Sequence, residues 1–124
     1  MKKLLVLALA TAAVFAQAQT FPGSKPITFV VPFAAGGPTD RVARDLAEAM
    51  RKSMGGSANF IVENVNGAGG TIGVAKVARA NSDGHTLLLH HIGMASAPSL
   101  YRKLSFKVAE DFEFLGMINE VPMT

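Results

Sequence analysis

Two short stretches of this sequence put bare backbone where a ligand could meet it. One is PFAAGGPTD, residues 32–40, with Gly36 and Gly37 adjacent. The other is NGAGGT, residues 66–71, with Gly67, Gly69 and Gly70 around Ala68 and with Thr71 closing it. Each follows an apolar run and precedes a helical pattern. Glycine lacks a Cβ, so its N–H can approach a ligand closely. A helix start adds unpaired donors and the positive end of the helix dipole. Two such ends facing one point suit an anion without any lysine or arginine. Either loop alone is also what a tight turn or a helix cap requires. Their equivalent placement, beyond the carboxyl ends of successive strands, favours a ligand over a turn.

Other residues with chemical potential are weighed against that pair. Asp40 falls in the first turn of the helix after the first loop. Its simplest role is to complement the helix dipole, an effect of about 0.3–1 kcal/mol that Thr39 is placed to share. A carboxylate beside an anion site would repel the ligand, so Asp40 otherwise orients the loop or meets an ammonium or hydroxyl group. His90 and His91 close the third apolar run. Read as strand residues, they point to opposite faces and make poor joint metal ligands, one packed and one facing a cleft. Ser96 and Ser99 lack a histidine–acid partner at recognisable spacing, and no G-x-S-x-G elbow occurs. No nucleophilic machinery, metal set or cofactor is expected.

A dinucleotide reading of NGAGGTIG fails on position. G-x-G-x-x-G beginning at Gly67 needs glycine at position 72, where Ile72 stands, and Asp83 comes too early for the ribose acid. The Gly-Lys-Ser/Thr of a phosphate loop is absent. An exported nucleotide-dependent enzyme is therefore the minor alternative. Nucleic acid is excluded as a partner because basic residues occur only in short pairs such as Arg51-Lys52 and Arg102-Lys103.

The elements that position the two loops follow from pattern. Residues 27–33, ITFVVPF, are β-branched and aromatic without polar alternation, which suggests a strand buried on both faces. Val42, Ala43, Leu46, Ala47, Met50 and Met54 fall on one stripe of a helix. Glu48 precedes Lys52 by four residues, and Gly55-Gly56 ends that helix. Residues 59–65 form a second strand, TIGVAKVARA a shorter helix, and HTLLLHHIG a third strand. A looser segment with a helical turn ending near Tyr101 follows. FEFLGMINEVPM reads as a last strand-like run. Phe29, Phe60, Phe112, Phe114, Met50 and Met117 are expected in the core. Alternation of strands and helices with short links implies a parallel α/β sheet.

The N-terminus reads as an export leader. Lys2 and Lys3 precede the apolar run Leu4–Phe15, and Ala16-Gln17-Ala18 supplies a small-x-small cleavage site. The run is short of the ~20 residues that span a bilayer. Cleavage after Ala18 predicts a periplasmic chain starting at Gln19, and removing two lysines takes the formal charge from +3 to +1. There is no cysteine, so the core alone must hold the fold. The remaining 106 of 124 residues suffice for one domain. The end at Thr124, without a closing helix, suggests a partial chain, which leaves a non-functional truncated product as the other alternative.

Taken together, KPITFVVPFAAGGPTDRVARDLAEAM, IVENVNGAGGTIGVAKVARANSDGHTLLL and LYRKLSFKVAEDFEFLGMI resemble the tripartite tricarboxylate transporter receptors. These are exported solute-binding proteins also known as the Bug family. The resemblance covers essentially the whole of residues 19–124. It implies an α/β lobe of the type II-like periplasmic binding protein class, a parallel-rich sheet with flanking helices, with the second lobe missing. It implies capture of a small organic carboxylate, delivery to membrane permease subunits, no catalysis, and a monomer when full length. Carried over by motif, Phe33, Ala34, Gly36, Gly37 and Asp40 form the first ligand loop and Gly67, Ala68, Gly69, Gly70 and Thr71 the second. His91 to Ser96 would add side-chain specificity, with His91 and Ser96 as the contacts. Two positions depart from the family pattern. Val65-Asn66 stands where Arg-Pro is common, and His85 where tyrosine is common.

Overall fold

The computed structural model describes residues 21–120. The export leader read over residues 1–18 lies outside them. Three parallel strands form one sheet. β1 spans Ile27–Val31, β2 Phe60–Asn64 and β3 Thr86–Leu88, in the order β2-β1-β3. Ile27 pairs with Phe60 and Val31 with Asn64 on one side of β1, and Thr28 pairs with Thr86 on the other. The central strand is buried on both faces, as its unbroken apolar run requires.

Helix α1, Pro38–Ser53, links β1 to β2. Proline opens it where the missing N–H has no helical partner, and Gly55 and Gly56 follow its end with positive φ. Ala43 and Ala47 are its buried stripe, and Glu48 pairs with both Arg51 and Lys52 on the outer face. A short 3-10 turn, Ala68–Gly70, leads into α2, Thr71–Ala78, which links β2 to β3. Helix α3, Gly93–Leu100, follows β3 and ends at Tyr101.

The two crossovers, β1 to β2 and β2 to β3, run in opposite directions across the sheet. Right-handed connection then places their helices on opposite faces. The core divides accordingly. Val31, Ala43 and Leu89 form one cluster, with Val42, Leu46 and Val62 packed against it. Val74, Ala75, Met94 and Phe106 form the other, with Leu88, Leu104 and Phe112 against it.

The last strand expected over residues 112–123 does not form among the described residues. Residues 112–120 carry no ladder, Phe114 is 67% exposed and Met117 82%, and Leu115 and Ile118 are exposed with them. The apolar run satisfies a strand pattern, but no strand lies beside it to accept its hydrogen bonds. Phe114 and Met117 therefore leave the core set, whereas Phe29 is buried and Phe60, Met50 and Phe112 are half-buried. The third strand is also shorter than its pattern, ending at Leu88 instead of running through the histidines.

A tight joint lies between α2 and the end of β1. A Cβ on Gly73 would stand 2.7 Å from both Pro32 Cβ and the Val65 carbonyl oxygen. Both are rigid. Gly73→Ala is expected to destabilise the fold by about 1–3 kcal/mol through overpacking, outweighing a helix-propensity gain of about 1 kcal/mol. Urea unfolding of the two proteins checks this.

Candidate functional site

In an open parallel sheet, a ligand crevice opens where neighbouring strands send their connections to opposite faces. Here that place lies between β1 and β3. β1 leads to α1 on one face, and β3 leads to α3 on the other. The residues just past the two strand ends meet in this crevice. The Phe33 ring stacks on His91, with centroids 4.4 Å apart, and meets His90 edge-on at 5.1 Å.

The loop after β1 is organised by Asp40. Its carboxylate is 2% exposed and has a full set of donors. The Gly36 amide donates to Oδ2 at 2.8 Å. Arg44, one helical turn on, donates from Nε to Oδ2 and from Nη2 to Oδ1, both at 3.0 Å. Asn64, the last residue of β2, donates from Nδ2 to Oδ1 at 2.9 Å and to the Phe33 carbonyl at 3.1 Å. Hydrogen bonds from Arg44, Gly36 and Asn64 hold the Asp40 carboxyl well below the usual carboxylate range. The same pairing raises the Arg44 guanidinium above its ordinary value. Asp40 thus orients the loop. It is not the helix cap, because Gly37 occupies that position without a side-chain cap. Gly36 has φ +80°, a conformation glycine adopts without strain, and the space in front of it is open.

The loop after β2 closes on itself. The Gly70 amide donates to the Gly67 carbonyl at 2.9 Å, and the Thr71 hydroxyl donates to the Ala68 carbonyl at 2.9 Å. The Thr71 amide also uses the Ala68 carbonyl. Gly70 is buried against the first and third loops. A Cβ there would lie 3.3 Å from His90 Nε2 and 3.4 Å from Phe33 Cζ. Phe33, Gly70 and His90 therefore join all three loops.

The histidines correct the sequence reading. They do not point to opposite faces. Their ring centroids lie 4.9 Å apart, and both rings pack on Phe33. The alternation rule applies only while the strand continues, and β3 ends before them. Burial lowers the His90 pKa below its ordinary value. His91 is exposed, and its Nδ1 accepts from the Gly93 amide at 3.0 Å. Ser96 lies on α3, exposed, with its hydroxyl donating to the Gly93 carbonyl at 3.2 Å. Ser96 is thus turned to its own helix, whereas His91 stands at the crevice.

Among the described residues, the amides of Ala34, Ala35, Ala68 and Gly69 have no protein partner, while those of Gly36, Gly37 and Gly70 are engaged within the loops. Two loops thus leave neutral backbone donors free, and a third brings two imidazoles onto Phe33. No group of three metal-ligating side chains occurs among the described residues. A cavity of 580 Å³ lies between α2 and residues 103–106, with Val65 and Thr71 at its edge. Two of its cations are engaged, Lys76 with Glu63 and Arg79 with the Ser105 hydroxyl. Sequence reasoning missed Arg44 and Asn64, and it left open which histidine of the His90–His91 pair faces the cleft. Arg44 had a visible signal, its i,i+4 spacing from Asp40. Asn64 had one in its place at the end of the second strand, level with the end of the first.

Asp40 also sets an acid limb of stability. A carboxyl with a depressed native pKa contributes stability that is complete above its unfolded value, about 3.9. That contribution is lost as pH falls below this value toward the native pKa. Native melting temperature is expected to fall below about pH 4. Asp40→Asn should melt lower at neutral pH and lose this part of the acid dependence. Thermal melts from pH 2 to 7 check both.

The family described as tripartite tricarboxylate transporter family receptor matches residues 42–124. A UPF0065 protein of Agrobacterium vitis is 52% identical over 109 residues, covering 88% of this chain and 31% of its own length. The structure of the periplasmic binding protein BugD is similar at 54% identity and a TM-score of 0.67, over 72% of this chain and 29% of that one. MatC from Rhodopseudomonas palustris, solved with bound malate, is similar at 45% identity and a TM-score of 0.68, over 74% and 31%. The chain spans about a third of the length of the curated relatives it matches. No helix among the described residues is long and apolar enough to cross a membrane. By its sequence and its α/β fold, the chain belongs to the tripartite tricarboxylate transporter receptor family of periplasmic binding proteins.

Proposed function

We propose that this chain contributes the carboxylate-gripping wall of a solute receptor. It is exported, cleaved after Ala18, and hands its ligand to membrane permease subunits without changing it chemically. In this reading residues 19–124 supply part of the first of two lobes. The protein works as a monomer without a cofactor. The observation that carries it is the pair of glycine loops at the strand ends, with four unpartnered amides beside the Phe33–His90–His91 cluster. The malate-bound relative supports a small dicarboxylate as ligand. Of the residues assigned by motif, Ala34, Ala68 and Gly69 offer donors. Gly36, Gly37, Gly70, Thr71 and Asp40 hold the loops in shape, and Phe33 and His91 face the bound acid. Ser96 has the weakest claim.

Hydrogen bonds to a charged group contribute about 1.5–3 kcal/mol each. Three or four reach the ~8 kcal/mol of a micromolar complex before ordering costs. Calorimetric titration of the purified protein with malate and with its uncharged diamide tests the reading. Malate is expected to bind about a hundredfold tighter, the equivalent of about two such bonds. No malate binding, or equal binding of the diamide, overturns it.

A further inference from the structure

The second glycine loop is not bare on every side. Gly69, with φ +63°, lies against the hydroxyl end of Tyr101, the residue that ends α3. A Cβ on Gly69 would overlap the Tyr101 hydroxyl and stand 3.1 Å from its Cζ. Glycine is required here to admit a tyrosine as well as to adopt a left-handed backbone. The Tyr101 hydroxyl has no hydrogen-bond partner among the described residues, and the Gly69 amide has none either. A phenol both donates and accepts. One set against the loop, with its polar atom unused, stands beside the amides left for an anion.

We propose that Tyr101 is a ligand-contacting residue, whose hydroxyl donates to the bound carboxylate beside the Gly69 amide. The inference rests on the carboxylate reading above and names a contact that the two glycine motifs do not contain. The ring supplies position through its packing on Gly69. The hydroxyl supplies the bond. His90 Nε2 lies at the next residue, Gly70, so the second loop carries two side-chain polar atoms on its covered side. The loop would then recognise a carboxylate through its backbone and two neutral side chains together.

The composition provides a direct probe. Tyr101 is the single tyrosine of the sequence, and there is no tryptophan. Tyrosine emission therefore reports on this ring alone. The native protein and Tyr101→Phe are titrated with malate by calorimetry, and the native protein also by tyrosine emission. The phenylalanine variant keeps the ring and removes only the hydroxyl, so its melting temperature should be unchanged. The expected result is a saturable emission change at the calorimetric Kd and about tenfold weaker binding by the variant, as for one lost bond to a charged group. Binding by the native protein with unchanged emission, and equal affinity in the variant, overturns the role of Tyr101 and leaves the carboxylate reading standing. Absence of malate binding by the native protein overturns both.

Discussion

The buried carboxylate of Asp40 is the constraint on which the rest of the site depends. It ties together three pieces of chain that meet only in the folded state: the loop at Gly36, the first turns of α1, and the end of β2 at Asn64. A buried charge is tolerated only when paired and fully hydrogen-bonded. Here both oxygens are occupied, and Arg44, half-exposed, supplies the countercharge. The consequence for the crevice is electrostatic as well as geometric. Asp40 turns its charge inward, so an acid in the first turn of α1 does not oppose an anion at the loop. Asn64 completes the arrangement by also holding the Phe33 carbonyl. That bond fixes the residue on which both histidines pack.

Much of this was legible in the sequence. The apolar run from Ile27 and the stripe through Ala43 and Ala47 depend on local periodicity, and both elements formed where expected. The glycine loops were legible because turn chemistry is local too. What local pattern could not reveal was registry between distant pieces. Asp40 meets Asn64 across 24 residues, because parallel strands end level with each other. Tyr101 covers Gly69 because α3 returns toward the second loop. The histidines were misread for a different reason. Strand alternation was extended past Leu88, where the ladder had already ended. The run at Phe114–Ile118 was misread because an apolar stretch shows a need for cover, not the presence of it.

The sheet order explains why these loops, and not others, form the site. With β1 in the centre and its neighbours reached by crossovers of opposite sense, the loops after β1 and β3 diverge and leave a crevice. Phe33 and the histidines floor that crevice, and the second loop closes one side through Gly70. The close contact of Gly73 with Pro32 and Val65 keeps α2 hard against the end of β1. Slack there would move the second loop's amides relative to the first, and two-loop recognition needs both sets at hydrogen-bond distance at once.

A crevice of amides and imidazoles would hold an anion differently from one built on lysine or arginine. Burial favours the neutral form of His90. Dipoles act over short distances, so they select by the placement of acceptor atoms more than by total charge. Affinity then comes from several aligned bonds that form together and are lost together. The pairing of buried Asp40 with half-exposed Arg44 belongs to the same design: it neutralises the loop's buried charge and leaves the open side of the loop to the amides without a partner among the described residues.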